Sequence, residues 1–473
     1  MKINLQSIEA FERAMNMSRR RIVSRAVTKM SPGALMLVVS LVIGAFTGCM
    51  AAMIKRMIEL LNRLCLEGVS IDSVNWRFLW LPILGVILTS LYQRKVVGHS
   101  VARGTRIVKQ SLRTGRTRMS AFTVFNPIIG CAMTLGLGAS GGSEGPTALS
   151  GSAIASRAGQ ALGLNDDWMR ILVGVGAAAG IAAIFKSPVG GMFFAIEVIQ
   201  MQITTFSVMM LAMSCVIAST SAYILSDFTF DIPFNHVATM DPHQLGWVCV
   251  LALICGLYSI YYDFTKSRAL NFFTRIKRPW RAALLTGAIL SISVFLFPIL
   301  FGEGFGLLTH LVNGTPSSMT DCGVFGGSPR LRWVALSVIG ALLLKGILVA
   351  AACGGGGVSG DFVPTLFAGA LVGWLFAHVI NLIGADVPVW HFALIGMGAV
   401  MAGTIHAPMM ALFICMETTN TYAFILPIFM AVLLSYGVVK LITPHTWYSE
   451  TDSDDIESLL KIEGKKLRGQ KPQ

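Results

Sequence analysis

The chain repeats itself at long range. Gly174-Val175-Gly176-Ala177 leads to Pro188, and Glu197 follows nine residues later; Gly396-Met397-Gly398-Ala399 leads to Pro408, and Glu417 again follows nine later. Upstream of each copy lies a glycine cluster closed by a proline, Glu144-Gly145-Pro146 in the first and Gly360-Asp361-Phe362-Val363-Pro364 in the second. Both regions are apolar but interrupted, with breaks at Gly136 to Gly145, Asn165 to Asp167 and Lys186-Ser187-Pro188, and again at Gly354 to Pro364, Gly384 to Pro388 and His406-Ala407-Pro408. The pieces between breaks read as too short to cross a bilayer of about 30 Å unaided. Interrupted helices in corresponding places of two halves are the sequence sign of a transporter fold with a midplane site at the repeat interface.

Composition places that repeat in a membrane. The chain is 54% hydrophobic and 13% charged, against about 25% charged in a soluble domain, which predicts an all-α polytopic membrane protein. A net charge of +13 would suit nucleic acid, but the basic residues cluster between apolar spans, where the positive-inside rule expects them. Nucleic-acid binding is therefore not expected. The nine cysteines are odd in number and scattered, with no CxxC spacing; they read as packing residues, and neither a metal site nor a cofactor is expected.

Charge also orders the chain. Residues 1–31 are polar and basic, with Arg13, Arg19, Arg20, Arg21, Arg25 and Lys29 around apolar positions, a cytoplasmic amphipathic segment rather than a signal peptide. A first membrane repeat spans 32–227, an acidic external connector 228–242, a second repeat 243–450, and a cytoplasmic tail 451–473. Arg94, Lys95, Arg103, Arg106, Lys109, Arg113, Arg116 and Arg118 form the most basic internal stretch, and Lys266 to Arg281 another; both read as cytoplasmic loops. With both termini inside, the number of crossings is even.

Glu144 is the lone acid between Phe122 and Arg157. A carboxylate at membrane depth is a functional-site hypothesis by default. Flanking glycines let backbone approach a ligand, and Pro146 suits the first turn of a helix running on through Thr147 to Leu162. Glu144 would then sit on the positive end of a helix, which attracts anions, so it can be displaced by an anion or removed by protonation.

These residues resemble the CLC family of voltage-gated chloride channels and proton-coupled chloride exchangers, over roughly 32–450. Gly142-Ser143-Glu144-Gly145-Pro146 is similar to the family's G(K/R)EGP motif, and Gly360 to Pro364 matches its GxFxP motif. The resemblance implies a CLC-type inverted repeat of broken, tilted helices, working as a homodimer in the cell membrane and carrying chloride or another small anion. It makes Glu144 the gate. It places anion-binding donors at Thr105, Gly145, Asp361, Phe362 and Tyr448, the last near the end of the final helix.

Three departures bear on mechanism. Gly104-Thr105-Arg106-Ile107-Val108 is a weak match to the family's GSGIP: Thr105 keeps a hydroxyl, but Arg106 replaces a glycine. Asp361 brings a carboxylate to a helix end that should hold an anion, and reads as a helix cap turned from the pore. At the position where proton-coupled relatives carry an inner glutamate this chain has Val198, leaving Glu197 as the candidate proton relay, although Glu197 and Glu417, each ending a helix piece in its repeat, both read first as structural groups satisfied by backbone or by a polar neighbour. The expectation is passive or weakly coupled conduction gated by Glu144, with a proton-coupled antiporter using a substitute relay as the alternative. A membrane-embedded enzyme is the remote alternative, since the eight histidines form no cluster.

Overall fold

The computed structural model describes residues 31–67, 75–98, 100–226, 240–304 and 331–443. Tyr448, the basic N-terminal segment, most of the external connector and the tail lie outside these residues. Within them all regular structure is helical, apart from one antiparallel bridge between Gly142 and Gly360.

The first half contains α1 (Pro32–Leu66), α2 (Arg77–Tyr92), α3 (Gly104–Thr114), α4 (Asn126–Gly136), α5 (Glu144–Leu162), α6 (Asp166–Phe185), α7 (Pro188–Phe193, continued by a π turn over Phe194–Val198) and α8 (Thr205–Leu225). The second contains α9 (Leu245–Thr274), α10 (Pro279–Leu296), α11 (Leu331–Gly354), α12 (Phe362–Leu382), α13 (Val389–Ile405), α14 (Pro408–Thr419) and α15 (Ile425–Ile442). Eight helices among the described residues are long and apolar enough to cross a membrane. The breaks fall where the sequence puts them, but the pieces are not uniformly short. Asp166–Phe185 and Phe362–Leu382 have the length of full spans, whereas Pro188–Val198, Val389–Ile405 and Pro408–Thr419 do not.

Boundaries follow local chemistry. Asn165 accepts from the Trp168 N–H to start α6, and Thr204 forms a capping box with Ser207 to start α8. Lys186 and His406 close α6 and α13 in the left-handed conformation, φ 51° and 57°, and Pro188 and Pro408 then restart the chain two residues on. α1 runs from Pro32 to Leu66, and its Arg56 guanidinium donates to the Leu225 carbonyl at the end of α8.

The two halves pack alike. α5 lies against α6 through Gly151 and Gly176, and α12 against α13 through Gly369 and Gly396. A methyl added to Gly176 would stand 2.2 Å from the Gly151 carbonyl oxygen, and one on Gly396 2.3 Å from that of Gly369. Each contact therefore requires glycine on both sides. Packing thus pairs Gly176, not Gly174, with Gly396.

The short helices exchange caps between halves. Glu197, at the end of α7, accepts from the Met409 and Met410 N–H groups at 3.1 and 2.9 Å, closing the N-terminus of α14. Glu417, near the end of α14, accepts from the Val189 and Gly190 N–H groups at 3.1 and 3.0 Å and from the Ser187 hydroxyl, closing the N-terminus of α7. Carboxylates on positive helix ends within apolar surroundings satisfy both partners.

Candidate anion pathway

Three helix N-termini meet at one place. α3 begins at Gly104, where a methyl would stand 2.1 Å from the Gly145 carbonyl oxygen in the first turn of α5. α5 and α12 are joined just upstream by the Gly142–Gly360 bridge, with N···O distances of 3.2 and 2.6 Å. Each helix end contributes partial positive charge and N–H groups without a full countercharge.

Glu144 occupies that meeting point. It is the first residue of α5, 1% exposed, and its Oε1 accepts from the Phe362 N–H that opens α12. Oε2 is buried with no hydrogen-bond partner. A methyl on Gly360 would stand 2.3 Å from Oε1, and one on Gly142 2.1 Å from Oε2, so both glycines are needed to seat the carboxylate. The α5 helix starts at Glu144 itself, with Pro146 in its first turn as expected.

Beside Glu144's neighbours Gly145 and Gly360 lies a cavity of about 30 Å3, walled also by Thr105, Lys266, Asp361, Arg103, Arg106 and Cys353. It has room for a water or a monatomic ion. The structure therefore brings Thr105, Gly145, Asp361 and Phe362 to one site with Glu144. Asp361 holds the N-cap position of α12 but makes no capping bond. Its carboxylate instead takes Lys266 Nζ at 3.0 Å, and Lys266 is 2% exposed. That corrects two expectations: Asp361 is not a cap turned from the path, and Lys266 is not a loop cation, because α9 continues past it to Thr274 and carries it inward.

Glu197 is elsewhere. Its carboxylate is committed to α14, and neither it nor the buried Val198 lines this cavity. The structure places the candidate relay as a helix cap.

Two charged residues near Glu144 carry no motif. Glu303 accepts from both the N–H and the hydroxyl of Ser143, at 3.1 and 2.5 Å. Lys345, 1% exposed on α11, donates to the Ser140 hydroxyl at 2.8 Å and sits 4.3 Å from the Phe367 ring centroid, as an electrostatic neighbour of Glu303. Where the resembling motif carries a basic residue, this chain has Ser143, which is bonded to Glu303. A lone lysine within an apolar span was the available signal.

An acid on a crossing of helix ends, beside an ion-sized cavity, is an arrangement that suits an anion path. Residues 84–440 match the family described as voltage gated chloride channel. The chain belongs to that family. It is 30% identical over 379 residues to a ClcB-like chloride channel protein of Ralstonia nicotianae, covering 76% of this chain and 82% of that one. It is 24% identical over 435 residues to the H(+)/Cl(-) exchange transporter ClcA of Vibrio cholerae, covering 88% of each. Among solved structures it is similar to a slow cyanobacterial Cl-/H+ antiporter, with TM-score 0.73, 22% identity and coverage of 89% and 97%. It is also similar to a CLC-type fluoride/proton antiporter, with TM-score 0.72, 20% identity and coverage of 89% and 98%. The fold is the CLC inverted repeat, in a membrane protein of the chloride-transporting family.

Proposed function

We propose that the chain is a proton-coupled chloride exchanger, a transporter and not an enzyme, working as a homodimer in the cytoplasmic membrane with both termini inside. The observation that carries this reading is the seat of Glu144: its carboxylate holds the Phe362 N–H that an anion on the path would use. Chloride and carboxylate compete for one site, so an anion enters when Glu144 leaves. A carboxylate leaving a buried, ion-sized passage is favoured to do so protonated, since a bare charge there is costly. Anion and proton then occupy the same place in turn. The relative from Vibrio cholerae, named as an H(+)/Cl(-) exchange transporter and matched over 88% of each chain, supports the reading.

Passive or weakly coupled conduction is the second reading, and one observation favours it. Val198 is buried and cannot titrate, and Glu197 beside it is held by two backbone amides. The deciding experiment is a liposome assay under a chloride gradient with a pH electrode. Uphill proton movement at a fixed ratio to chloride is expected; chloride movement without it sinks the exchange reading in favour of conduction.

A further inference from the structure

The most basic internal stretch of the chain does not spread over a surface. Folding gathers Arg94, Arg103, Arg106, Arg116 and Arg118 around one vestibule of about 610 Å3, with no Asp or Glu among its described lining residues. Its frame is fixed from several elements. Gln93 donates to the Gly356 carbonyl at 2.7 Å and accepts from the Val101 N–H at 3.2 Å, tying the end of α2 to the loop before α12 and to the entry of α3. The Ser111 hydroxyl donates to the Arg116 carbonyl at 2.6 Å, and Arg94 donates to the Ser90 hydroxyl at 3.0 Å. At the rim Arg118 lies 3.8 Å from Asp166, with both groups largely exposed, a pairing that withdraws little of its charge.

Arg103, Arg106 and Cys353 wall both the vestibule and the cavity of about 30 Å3 beside Gly145 and Gly360. A cavity of about 30 Å3 holds a halide but not a phosphate chain. Focusing a halide needs a positive potential and no particular donor geometry. Guanidiniums are planar forks of donors that match phosphate oxygens in pairs. The volume, about 610 Å3, falls within the roughly 300 to 1,000 Å3 of small-molecule sites.

We propose that this vestibule is a regulatory site for a soluble anion carrying a di- or triphosphate group, held by the arginines and too large for the adjoining small cavity, so that it plugs the chloride path. By the positive-inside rule the plug acts from the cytoplasm. Block is read on chloride flux, so the inference stands or falls separately from proton coupling.

The test uses the full chain in liposomes, with chloride efflux measured with and without inorganic triphosphate on both faces. Triphosphate is expected to cut efflux by about 10-fold where orthophosphate at matched ionic strength does not. In the Arg94→Gln/Arg116→Gln variant, the triphosphate concentration for half block should rise by more than about 10-fold, since each lost bond to a charged group is worth roughly 1.5 to 3 kcal/mol. Calorimetric titration of triphosphate into the purified protein, unmodified and Arg116→Gln, gives the same comparison without reconstitution. Equal effects of orthophosphate and triphosphate, an unshifted half-block in the variant, or no heat of binding overturns the proposal. Block by an anionic phosphomonoester lipid doped into the vesicles, with triphosphate inert, overturns the assignment to a soluble ligand.

Discussion

The N–H of Phe362 donates to Oε1 of Glu144, joining the first residue of α12 to the first residue of α5. The carboxylate and the amide that seats it therefore come from different halves of the repeat.

Glu144→Gln should remove the pH dependence of anion flux while leaving flux present. In the unmodified protein the charged carboxylate competes for the Phe362 N–H and the protonated one does not, so flux rises as pH falls. The amide cannot titrate. Efflux from liposomes across a pH series checks this, and an unchanged slope in the variant places the gate elsewhere.

Lys266→Met should destabilise the protein by about 3 to 5 kcal/mol, because it leaves the Asp361 carboxylate without its buried cation. The pair is enclosed on both sides, at 2% and 16% side-chain exposure. Lys266→Met/Asp361→Asn should recover most of that loss. Thermal unfolding in detergent of the two singles and the double closes the cycle; additive losses would mean that the two groups are not coupled.

Glu417→Ala should cost more than Glu197→Ala. Glu417 satisfies two amides and the hydroxyls of Ser187 and Tyr422, Glu197 two amides. Each buried donor left unsatisfied costs roughly 1 to 3 kcal/mol. Midpoints of thermal unfolding should rank the unmodified protein, Glu197→Ala and Glu417→Ala in falling order, and Glu197→Gln should leave any proton movement intact.

Tyr448→Phe, beyond the described residues, tests the resemblance rather than the geometry. Loss of a hydroxyl bond to a charged ligand costs roughly 1.5 to 3 kcal/mol. Chloride binding by calorimetry should weaken by about 10-fold or more; unaltered affinity would leave the helix-end amides as the principal donors.

Much of this site was legible because its parts are backbone. Glycine, proline and one acid in order, as in Gly142 to Pro146 and Gly360 to Pro364, announce a helix end that approaches a ligand, and both clusters came to the site. What was not legible is contact between distant side chains. Lys266 stands in sequence among Arg268, Arg275 and Lys277 and reads as their loop companion, yet a helix that runs eight residues further turns it inward onto Asp361. Glu303 and Lys345 carry no motif at all. Periodicity cannot show that Ser143, in place of a cation, is met by a carboxylate from a turn 160 residues away.

The exchanged caps also bear on how the chain is made. Val189 and Gly190 leave the ribosome 228 and 227 residues before the glutamate that satisfies them. At about 5 to 20 residues per second, the first half waits on the order of 10 to 45 seconds with those amides unmet. The α7 end must stay hydrated, or be sheltered by the insertion machinery, until α14 arrives. A premature stop before residue 417 should therefore yield a half that inserts but does not settle, and is open to membrane proteases.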